Sequence, residues 1–346
     1  DGSYTVSTQT IDVAGNISTA TVSDTLLRID TQAPSKPSAP DLQASSDSGF
    51  LDTDNVTNIT TPVFNLTGLS STIDSLALFV DGISNTDSIM SQINSSTLRL
   101  ENALIHGVHN IAIVAIDSAG NVSDTSNTVS ITVDLEDPDA PTGVDLKDDS
   151  DTGLSISDDK TNDVTPEFTF SGVTSTDSVF IVTTQDSNTD TVGSGLASST
   201  SIDMTTSDLS VVPISYNDGS ITIKGYAMDI AGNTSDISAS ASLIITLDTS
   251  EPTAPTSVVL QSGSDSGIST TDRLTNDTTP TFTIEGVTST DSVLLIIDGS
   301  TASSGIASST SIDLNISSVL TDGSYTVSTQ TIDVAGNIST ATVSDT

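Results

Sequence analysis

The groups in this chain that could do chemistry are carboxylates. Of 346 residues, 46 are Asp or Glu and 7 are Lys or Arg, so the formal net charge is −39. Two acidic motifs recur: D-x-A-G-N, beginning at Asp12, Asp117, Asp229 and Asp333, and S-D-[ST]-G, which contains Asp47, Asp151 and Asp265. Ca²⁺ takes about six to eight oxygen ligands from Asp, Asn and backbone carbonyls. Cation binding is therefore the first chemistry that the sequence suggests.

The other residue types needed for catalysis are missing or badly placed. The sequence has no Cys, which excludes disulfide frameworks, zinc ribbons and Cys nucleophiles. The Asp-Thr-Gly at Asp151 and the Asp-Ser-Gly at Asp47 and Asp265 match the tripeptide of aspartic proteases, but that chemistry needs two facing carboxylates about 3 Å apart. Here the copies are separated by 104 residues (47 to 151) and 114 residues (151 to 265). Both His residues, His106 and His109, lie in one stretch, so no Ser-His-Asp triad can repeat. We expect no enzyme.

Charge and hydropathy also limit the partners. A strongly negative chain is repelled by nucleic acid and by anionic lipid headgroups, so we expect neither as a partner. The longest apolar run, Ile111 to Ile116, is strand-sized and far below the roughly 18 residues of a membrane helix, so we expect no membrane insertion. The first residues, Asp1 to Thr5, match neither a signal peptide nor an initiator, which favours an excised fragment of a longer chain.

The elements that position the acidic motifs are internal repeats. Residues 1–25 recur letter for letter at 322–346, and the D-x-A-G-N motifs are spaced by 105, 112 and 104 residues (12 to 117, 117 to 229 and 229 to 333). Pro-bearing stretches separate the repeats. They predict four segments: residues 1–29, the C-terminal hairpin of a preceding repeat; 30–134, repeat 1; 135–248, repeat 2; and 249–346, repeat 3.

Within each repeat the apolar residues alternate with a period of two, as in Phe168-Thr169-Phe170 after a Thr-Pro. Gly-led stretches such as 107–116 and 219–228 predict a long strand that runs into D-x-A-G-N, whose Ala-Gly-Asn supplies a tight turn. About seven short strands separated by turns predict an all-β fold of tandem Ig-like antiparallel β-sandwich domains arranged end to end. His109 shares its strand position with Tyr4, Ile221 and Tyr325, so we interpret it as a packed strand residue.

Stacking such domains end to end would bring acidic groups together at each junction. The linker and the D-x-A-G-N turn of one domain would face the S-D-[ST]-G loop of the preceding one. Because crowded carboxylates repel each other, we predict Ca²⁺ at the junctions. The predicted ligands are Asp30, Asp117 and Asn121 at the first junction; Asp47, Asp134, Asp137, Asp229 and Asn233 at the second; and Asp151, Asp248, Glu251, Asp333 and Asn337 at the third. Asp12 and Asp265 are expected to belong to half-sites. The alternative is that the acids only keep a secreted protein soluble.

Four markers recur in order in each repeat: an Ala-Pro linker, S-D-[ST]-G, T-N-x-x-T-P (57–62, 161–166 and 275–280) and D-x-A-G-N. In this combination the chain resembles the bacterial Ig-like repeats of giant surface adhesins, the biofilm-associated and RTX-type proteins exported by type I secretion. The resemblance implies an extracellular location at the outer surface of a Gram-negative cell. It also implies an extender role, in which tandem domains, stiffened by calcium at their junctions, hold a distal domain for cell adhesion and biofilm formation. The partners would be neighbouring repeats, and any host or surface ligand would bind domains outside this chain.

Two alternatives stay open at this point. A carbohydrate- or protein-binding Ig-like module would need exposed aromatic residues for a sugar platform, and the chain has no Trp and four Tyr. An S-layer or secreted-enzyme accessory array would share the repeats, and only flanking sequence could separate it. For the extender, strands of about 8–10 residues with a rise of about 3.3 Å, plus loops, predict roughly 40 Å per repeat.

Overall fold

The computed structural model describes residues 1–71, 73–91, 96–210 and 216–344. All the regular secondary-structure elements in these ranges are β-strands. The chain divides into two compact units, which are Asp1–Pro138 with Met228–Thr234 and Asp139–Ala227 with Ser235–Thr346. No helix in the described ranges is long and apolar enough to span a membrane.

The N-terminal segment, residues 1–29 of the first unit, forms two short antiparallel ladders. β1 (Gly2–Tyr4) pairs with β4 (Leu27–Ile29), and β2 (Ser7–Thr8) pairs with β3 (Thr21–Val22). Every residue of the segment is exposed. Since a two-stranded ladder buries little apolar surface, this segment has a hydrogen-bonded shape but no core.

Repeat 1, also in the first unit, is a sandwich of two sheets. Its strands are β5 (Asp41–Leu42), β6 (Val56–Thr57), β7 (Val63–Asn65), β8 (Ile73–Val80), β9 (Ile83–Ser91), β10 (Thr97–Arg99), β11 (Gly107–Asp117) and β12 (Val129–Val133). The smaller sheet has the order β10-β7-β5 and the larger sheet β6-β12-β11-β8-β9. The pairing is antiparallel except between β6 and β12, which pair in parallel.

Repeat 2 lies in the second unit apart from residues 135–138 and 228–234. Its strands are β13 (Gly143–Leu146), β14 (Lys160–Thr161), β15 (Glu167–Ser171), β16 (Ser178–Gln185), β17 (Asn188–Leu196), β18 (Ser201–Thr205), β19 (Gly219–Met228) and β20 (Ser242–Leu247). The sheet orders, β13-β15-β18 and β14-β20-β19-β16-β17, repeat those of repeat 1. β14 and β20 are again a parallel pair.

Repeat 3 completes the second unit with a smaller second sheet. Its strands are β21 (Ser257–Leu260), β22 (Thr281–Glu285), β23 (Ser292–Ile297), β24 (Ser300–Ile306), β25 (Ser311–Asn315), β26 (Val327–Ile332) and β27 (Thr342–Val343). The sheets have the orders β21-β22-β25 and β24-β23-β26-β27. In the described part of this repeat, no strand corresponds to the parallel strands β6 and β14.

Strand alternation explains the core of each repeat. Along β15, Phe168 and Phe170 are fully buried while their neighbours are partly or fully exposed, and Phe64 and Phe282 occupy the position of Phe168 in the other repeats. Each repeat encloses its own apolar cluster. The prediction of an all-β chain of Ig-like sandwiches is confirmed. The parallel pairs are a further finding, because two-residue strands leave too short a pattern to predict.

The two acidic motifs occupy fixed places in this architecture. The S-D-[ST]-G loops, residues 46–55, 150–159 and 264–273, follow the first strand of each repeat. The D-x-A-G-N turns, residues 12–16, 117–121, 229–233 and 333–337, follow the long strands β11, β19 and β26 and their N-terminal counterpart. An isolated bridge closes each turn, for example Met228 with Thr234.

Candidate functional site

The aspartate of every D-x-A-G-N turn folds the turn itself. In all four copies Asp Oδ1 accepts hydrogen bonds from the Ala and Asn amides, and Asp Oδ2 accepts one from Asn Nδ2, at 2.8–3.0 Å. The Asn121 side-chain bond holds the pKa of Asp117 below its usual value, and Asn16 does the same for Asp12. Turn formation therefore explains why this Asp recurs, without a metal.

The asparagine of each turn binds the linker that enters the same repeat. Asn121 Nδ2 donates to the Asp30 carbonyl at 3.1 Å. The same bond joins Asn233 to Asp134 at 3.1 Å and Asn337 to Asp248 at 2.8 Å. These predicted ligands therefore do lie together, but the groups that meet are an amide and a main-chain carbonyl.

In two places a hydroxyl of the S-D-[ST]-G loop of one repeat bonds to the D-x-A-G-N turn of the next repeat. In the first unit, Ser48 Oγ accepts the Asn58 amide at 2.8 Å and donates to the Ala231 carbonyl at 2.5 Å. In the second unit, Thr152 Oγ1 accepts the Asn162 amide at 2.9 Å and donates to the Ala335 carbonyl at 2.6 Å. The [ST] of one motif therefore recognises the backbone of the other.

The glycine that follows this hydroxyl allows the two backbones to meet. Gly49 and Gly153 have φ of 101° and 96°. A Cβ atom would lie 2.0 Å from the Ile230 carbonyl oxygen at Gly49, and 2.2 Å from the Val334 carbonyl oxygen at Gly153. Only glycine accommodates both the positive φ and this approach. We call these two assemblies the loop–turn contacts: residues 48–49 with 230–232, and residues 152–153 with 334–336.

The same motifs also occur without a partner motif. The alanine of the turn is fully buried at Ala231 and Ala335 but exposed at Ala14 and Ala119. In the loop of repeat 3, a Cβ at Gly267 would have only the Leu274 carbonyl oxygen near it, at 3.9 Å. The turn therefore forms without a facing loop, and its alanine is buried where the loop–turn contact is present.

The carboxylates of the S-D-[ST]-G loops have a different environment from those of the turns. Asp47, Asp151 and Asp265 are 4%, 3% and 2% exposed. Asp47 Oδ2 accepts the Asn55 amide at 3.1 Å, whereas the buried Oδ1 atoms of Asp47 and Asp265 have no hydrogen-bond partner among the described residues.

The pKa values of two loop carboxylates reflect this burial. Burial raises the pKa of Asp47, and the negative charge of Asp54 adds to the effect. Burial likewise raises the pKa of Asp151, with a contribution from the charge of Asp158. A buried acid next to another acid is stabilised when a cation neutralises it.

The linker carboxylates are used locally or remain exposed. Each accepts a hydrogen bond from the backbone two residues ahead: Asp30 from Gln32, Asp134 from Glu136, and Asp248 from Ser250, at 3.0–3.1 Å. Asp137 and Glu251 are exposed. Within the described ranges, no three or more His, Cys, Asp or Glu side chains are grouped so that they could hold a metal ion. The predicted Ca²⁺ ligand sets therefore stay predictions, and the buried loop carboxylates are the members that best fit a cation.

His109 occupies a strand position, as the sequence interpretation expects. It is 7% exposed, its Nδ1 lies 2.8 Å from Asp81 Oδ2, and its Nε2 lies 2.9 Å from the Ile105 carbonyl oxygen. Burial lowers the pKa of His109, but the Ile105 carbonyl and the Asp81 carboxylate outweigh it and leave the pKa above its usual value. Both ring nitrogens face acceptors, which suits a structural hydrogen-bond donor.

Comparison with known proteins adds a family and several structural likenesses. The bacterial Ig-like domain family (Big_13) matches residues 33–135, 139–249 and 252–346. No curated protein matches the chain. Among solved structures, the fibronectin(III)-like modules of Clostridium thermocellum CbhA align at 16% identity and a TM-score of 0.34, over 56% of this chain and 87% of theirs. A Ca²⁺-stabilised, ice-binding adhesin of an Antarctic bacterium aligns at 18% identity and a TM-score of 0.31, over 99% and 80%. The central fibronectin-III array of RIM-binding protein aligns at 13% and 0.22, over 92% and 100%. At these TM-scores the structural likenesses carry no functional argument.

Proposed function

Since the chain belongs to the bacterial Ig-like domain family, we propose that it is an extender segment of a bacterial surface adhesin. In this role the repeats form a stiff spacer at the outer surface of the cell, and a domain elsewhere in the protein binds the target for adhesion or biofilm formation. The observation that carries the proposal is that the loop–turn contact forms twice, from equivalent residues and with the same hydrogen bonds.

The loop–turn contact is suited to resist bending. It joins backbone to backbone through glycine, so no flexible side chain lies between the two motifs. Partial opening would uncover Ala231 or Ala335 and separate its carbonyl oxygen from the Ser48 or Thr152 hydroxyl. A buried polar group left without its partner costs about 1–3 kcal/mol. Small angular changes at the contact are therefore unfavourable.

Calcium is the second part of the proposal, and the loops support it better than the turns. The turn aspartates already accept three hydrogen bonds each, whereas Asp47 and Asp265 each have a buried oxygen atom with no partner in the described ranges. Asp47 with Asp54, and Asp151 with Asp158, would hold the ion and have their charge neutralised. Extracellular modules bind Ca²⁺ at about 10⁻⁴–10⁻³ M, which matches a protein outside the cell.

Small-angle X-ray scattering of the full chain tests both parts. The chain should show a well-defined maximum dimension, and replacing Gly49 and Gly153 together with Val should broaden the distance distribution because both loop–turn contacts are lost. Gly267→Val is the matched control, since among the described residues a Cβ there would have only the Leu274 carbonyl oxygen near it, at 3.9 Å, and it should leave the distribution unchanged.

The same experiment with added Ca²⁺ and then with EGTA separates calcium from the extender. If chelation broadens the distribution, the calcium part is supported. If chelation has no effect while the double Gly variant does, calcium is rejected and the extender stands. An equally broad distribution for the unmodified chain and the double variant would contradict the extender itself.

A further inference from the structure

Each of the three repeats has a main-chain carbonyl that accepts a hydrogen bond from a side chain at the same place in the fold. The carbonyl belongs to the residue two positions before a glycine that the repeats share. These residues are Ile105 before Gly107, Asn217 before Gly219 and Thr321 before Gly323. A side-chain donor at this carbonyl is therefore a common feature of the three repeats.

The donor differs from one repeat to the next. In repeat 2 it is Gln185 Nε2 at 2.8 Å, and in repeat 3 it is the Tyr325 hydroxyl at 2.7 Å. In repeat 1 the nitrogen His109 Nε2 lies 2.9 Å from the Ile105 oxygen. Amide and phenol donors keep their protons near neutral pH, whereas an imidazole titrates there. A change of pH in this range can therefore break the bond of repeat 1 but not the other two.

The second ring nitrogen of His109 meets a carboxylate. Its Nδ1 lies 2.8 Å from Oδ2 of Asp81, in the turn between β8 and β9. The hydrogen bonds from the Asn110 amide and from His109 hold the pKa of Asp81 below its usual value, so Asp81 remains a carboxylate. Carboxylate and carbonyl oxygens accept hydrogen bonds and donate none. His109 therefore satisfies both partners only when both of its nitrogens carry a proton.

Three elements surround the buried ring of His109. The β8–β9 turn supplies Asp81, the loop before β11 supplies the Ile105 carbonyl, and β12 places the apolar Ile131 opposite the ring. The neighbouring His106 is directed elsewhere, since its Nδ1 lies 3.3 Å from Asp134 Oδ1. Among the described residues, Asp81 is the charged group that acts on the His109 ring.

The loop that contains Ile105 packs on the T-N-x-x-T-P segment, residues 57–62. Leu104 is buried and donates its amide to the Thr60 carbonyl at 2.8 Å. In the same segment the Asn58 amide donates to Ser48 Oγ at 2.8 Å. The loop held by His109 therefore lies against the segment that supports the hydroxyl of the first loop–turn contact.

We propose that His109 is a proton-dependent clamp of repeat 1, which holds residues 101–106 and the β8–β9 turn to β11 while both ring nitrogens are protonated. When the ring loses one proton to water, the remaining N–H stays on the Asp81 carboxylate. The unprotonated Nε2 then faces the Ile105 carbonyl oxygen, and a buried acceptor without its donor is unfavourable, so the loop separates from the ring. The clamp does not depend on the extender role.

The direction of the pH effect follows from the environment of the ring. Burial lowers the pKa of His109, but the hydrogen bonds to Ile105 and Asp81 and the charge of Asp81 outweigh it, so the pKa in the folded chain lies above 6.5. The contribution of the clamp is therefore fully present below pH 6.5 and is lost as the pH rises through the folded pKa. The loop should be held most firmly in mildly acidic solution.

Amide hydrogen exchange of the full chain, expressed as protection relative to the intrinsic exchange rate at each pH, tests the proposal. Between about pH 6 and about pH 9, the Leu104 amide should lose about tenfold in protection, the effect of one buried acceptor left without its donor. The Leu209 amide is the internal control. It donates to the Val164 carbonyl at the equivalent place in repeat 2 and should keep its protection.

Two variants separate His109 from other titrating groups. His109→Tyr introduces the donor that repeat 3 has at Tyr325, so it should keep Leu104 protected at both pH values. His106→Asn removes the other histidine and should retain the pH-dependent loss at Leu104. A loss that persists in His109→Tyr, or that disappears in His106→Asn, would overturn the proposal.

NMR titration of the histidine ring protons in the unmodified chain gives a test that needs no variant to fold. The midpoint for His109 should lie above 6.5, and Asp81→Asn should lower it because the charge that favours the protonated ring is removed. A His109 midpoint below 6.5, or Leu104 protection that is equal at both pH values, would contradict the clamp.

Discussion

The turns at 117–121 and 229–233 have the same motif and the same internal hydrogen bonds but different surroundings. In each turn the Asn side chain makes one bond of 2.9 Å to the turn Asp and one of 3.1 Å to the linker carbonyl. Only the second turn meets an S-D-[ST]-G loop, and only there is the alanine fully buried. The comparison separates two functions of the motif, which are to fold the turn and to present a backbone surface for the preceding loop.

The loops show the same contrast. Gly153 lies against the backbone of residues 334–336, whereas Gly267 has a similar positive φ and no close neighbour. Each repeat therefore folds its motifs independently, and the loop–turn contact depends on two surfaces that already have their final shape. Such preformed surfaces lose little conformational entropy when they meet.

The largest expected difference in stability is between the variants Gly153→Val and Gly267→Val. Gly153→Val and Gly267→Val both place a side chain at positive φ, which costs about 1–3 kcal/mol. Only the first also places Cβ 2.2 Å from a carbonyl oxygen, so it should remove the loop–turn contact as well. Denaturant unfolding followed by circular dichroism should show a clearly larger loss of unfolding free energy for Gly153→Val than for Gly267→Val. Equal losses would mean that strain alone matters at both positions.

A smaller effect is expected from the loop hydroxyl. Ser48→Ala leaves the Ala231 carbonyl without its donor, whereas among the described residues the Ser266 hydroxyl bonds within its own loop, to Thr275 and Asn276. Because a buried unsatisfied carbonyl costs about 1–3 kcal/mol, Ser48→Ala should lower the unfolding free energy by about that much more than Ser266→Ala. If the two variants are equally stable, the hydroxyl does not hold the loop to the turn.

Substitutions of the turn asparagines Asn121 and Asn233 test whether the hydrogen bonds of a turn stabilise the fold more when an S-D-[ST]-G loop covers that turn. Asn121→Ala and Asn233→Ala each remove the same two side-chain hydrogen bonds, one to the turn Asp at 2.9 Å and one to the linker carbonyl at 3.1 Å. Asn233 is 9% exposed and Asn121 is more accessible to water. We expect Asn233→Ala to cost about 1 kcal/mol more, since water can replace the lost bonds at Asn121. A larger loss for Asn121→Ala would contradict this account.

The smallest effects concern charge and have opposite signs. Burial raises the pKa of Asp47 in the folded chain above its unfolded value of 3.8. Its contribution to the stability of the fold is therefore fully present below pH 3.8 and is lost as the pH rises through the folded pKa. The pKa of Asp117 is lowered by Asn121, so its contribution is present above 3.8 and is lost as the pH falls through the folded pKa. Without calcium at pH 7, Asp47→Asn should stabilise the chain and Asp117→Asn should destabilise it.

Denaturant unfolding at pH 7 and pH 3 measures the change in unfolding free energy that each of the two substitutions causes. Both changes should be smaller at pH 3 than at pH 7. Added Ca²⁺ should reverse the sign for Asp47→Asn if the loop carboxylate binds the ion. If Asp47→Asn destabilises the chain without calcium, the carboxylate makes favourable interactions that the described contacts do not account for.

The sequence predicted the sandwich because alternation, turn residues and repeat length all favour the same fold. It also predicted that loop, linker and turn motifs would meet. The chemistry of the meeting was not predictable, because letters do not distinguish an Asp that bonds its own turn, such as Asp229, from a buried Asp with an unpartnered oxygen, such as Asp47. The small residues Ser48, Gly49 and Ala231 were recognisable as motif members, but their function depends on a backbone approach that only three-dimensional structure reveals.

Amide hydrogen exchange at the turn alanines tests the central claim most directly. The Ala119, Ala231 and Ala335 amides each donate to the turn Asp at 2.9 Å, so any difference in exchange reports the cover supplied by the preceding loop. We predict exchange at least about tenfold slower at Ala231 and Ala335 than at Ala119, as expected for about 1.4 kcal/mol of added local stability. Gly153→Val should return Ala335 to the rate of Ala119. Equal protection at all three alanines would contradict the loop–turn contact as the element that holds successive repeats together.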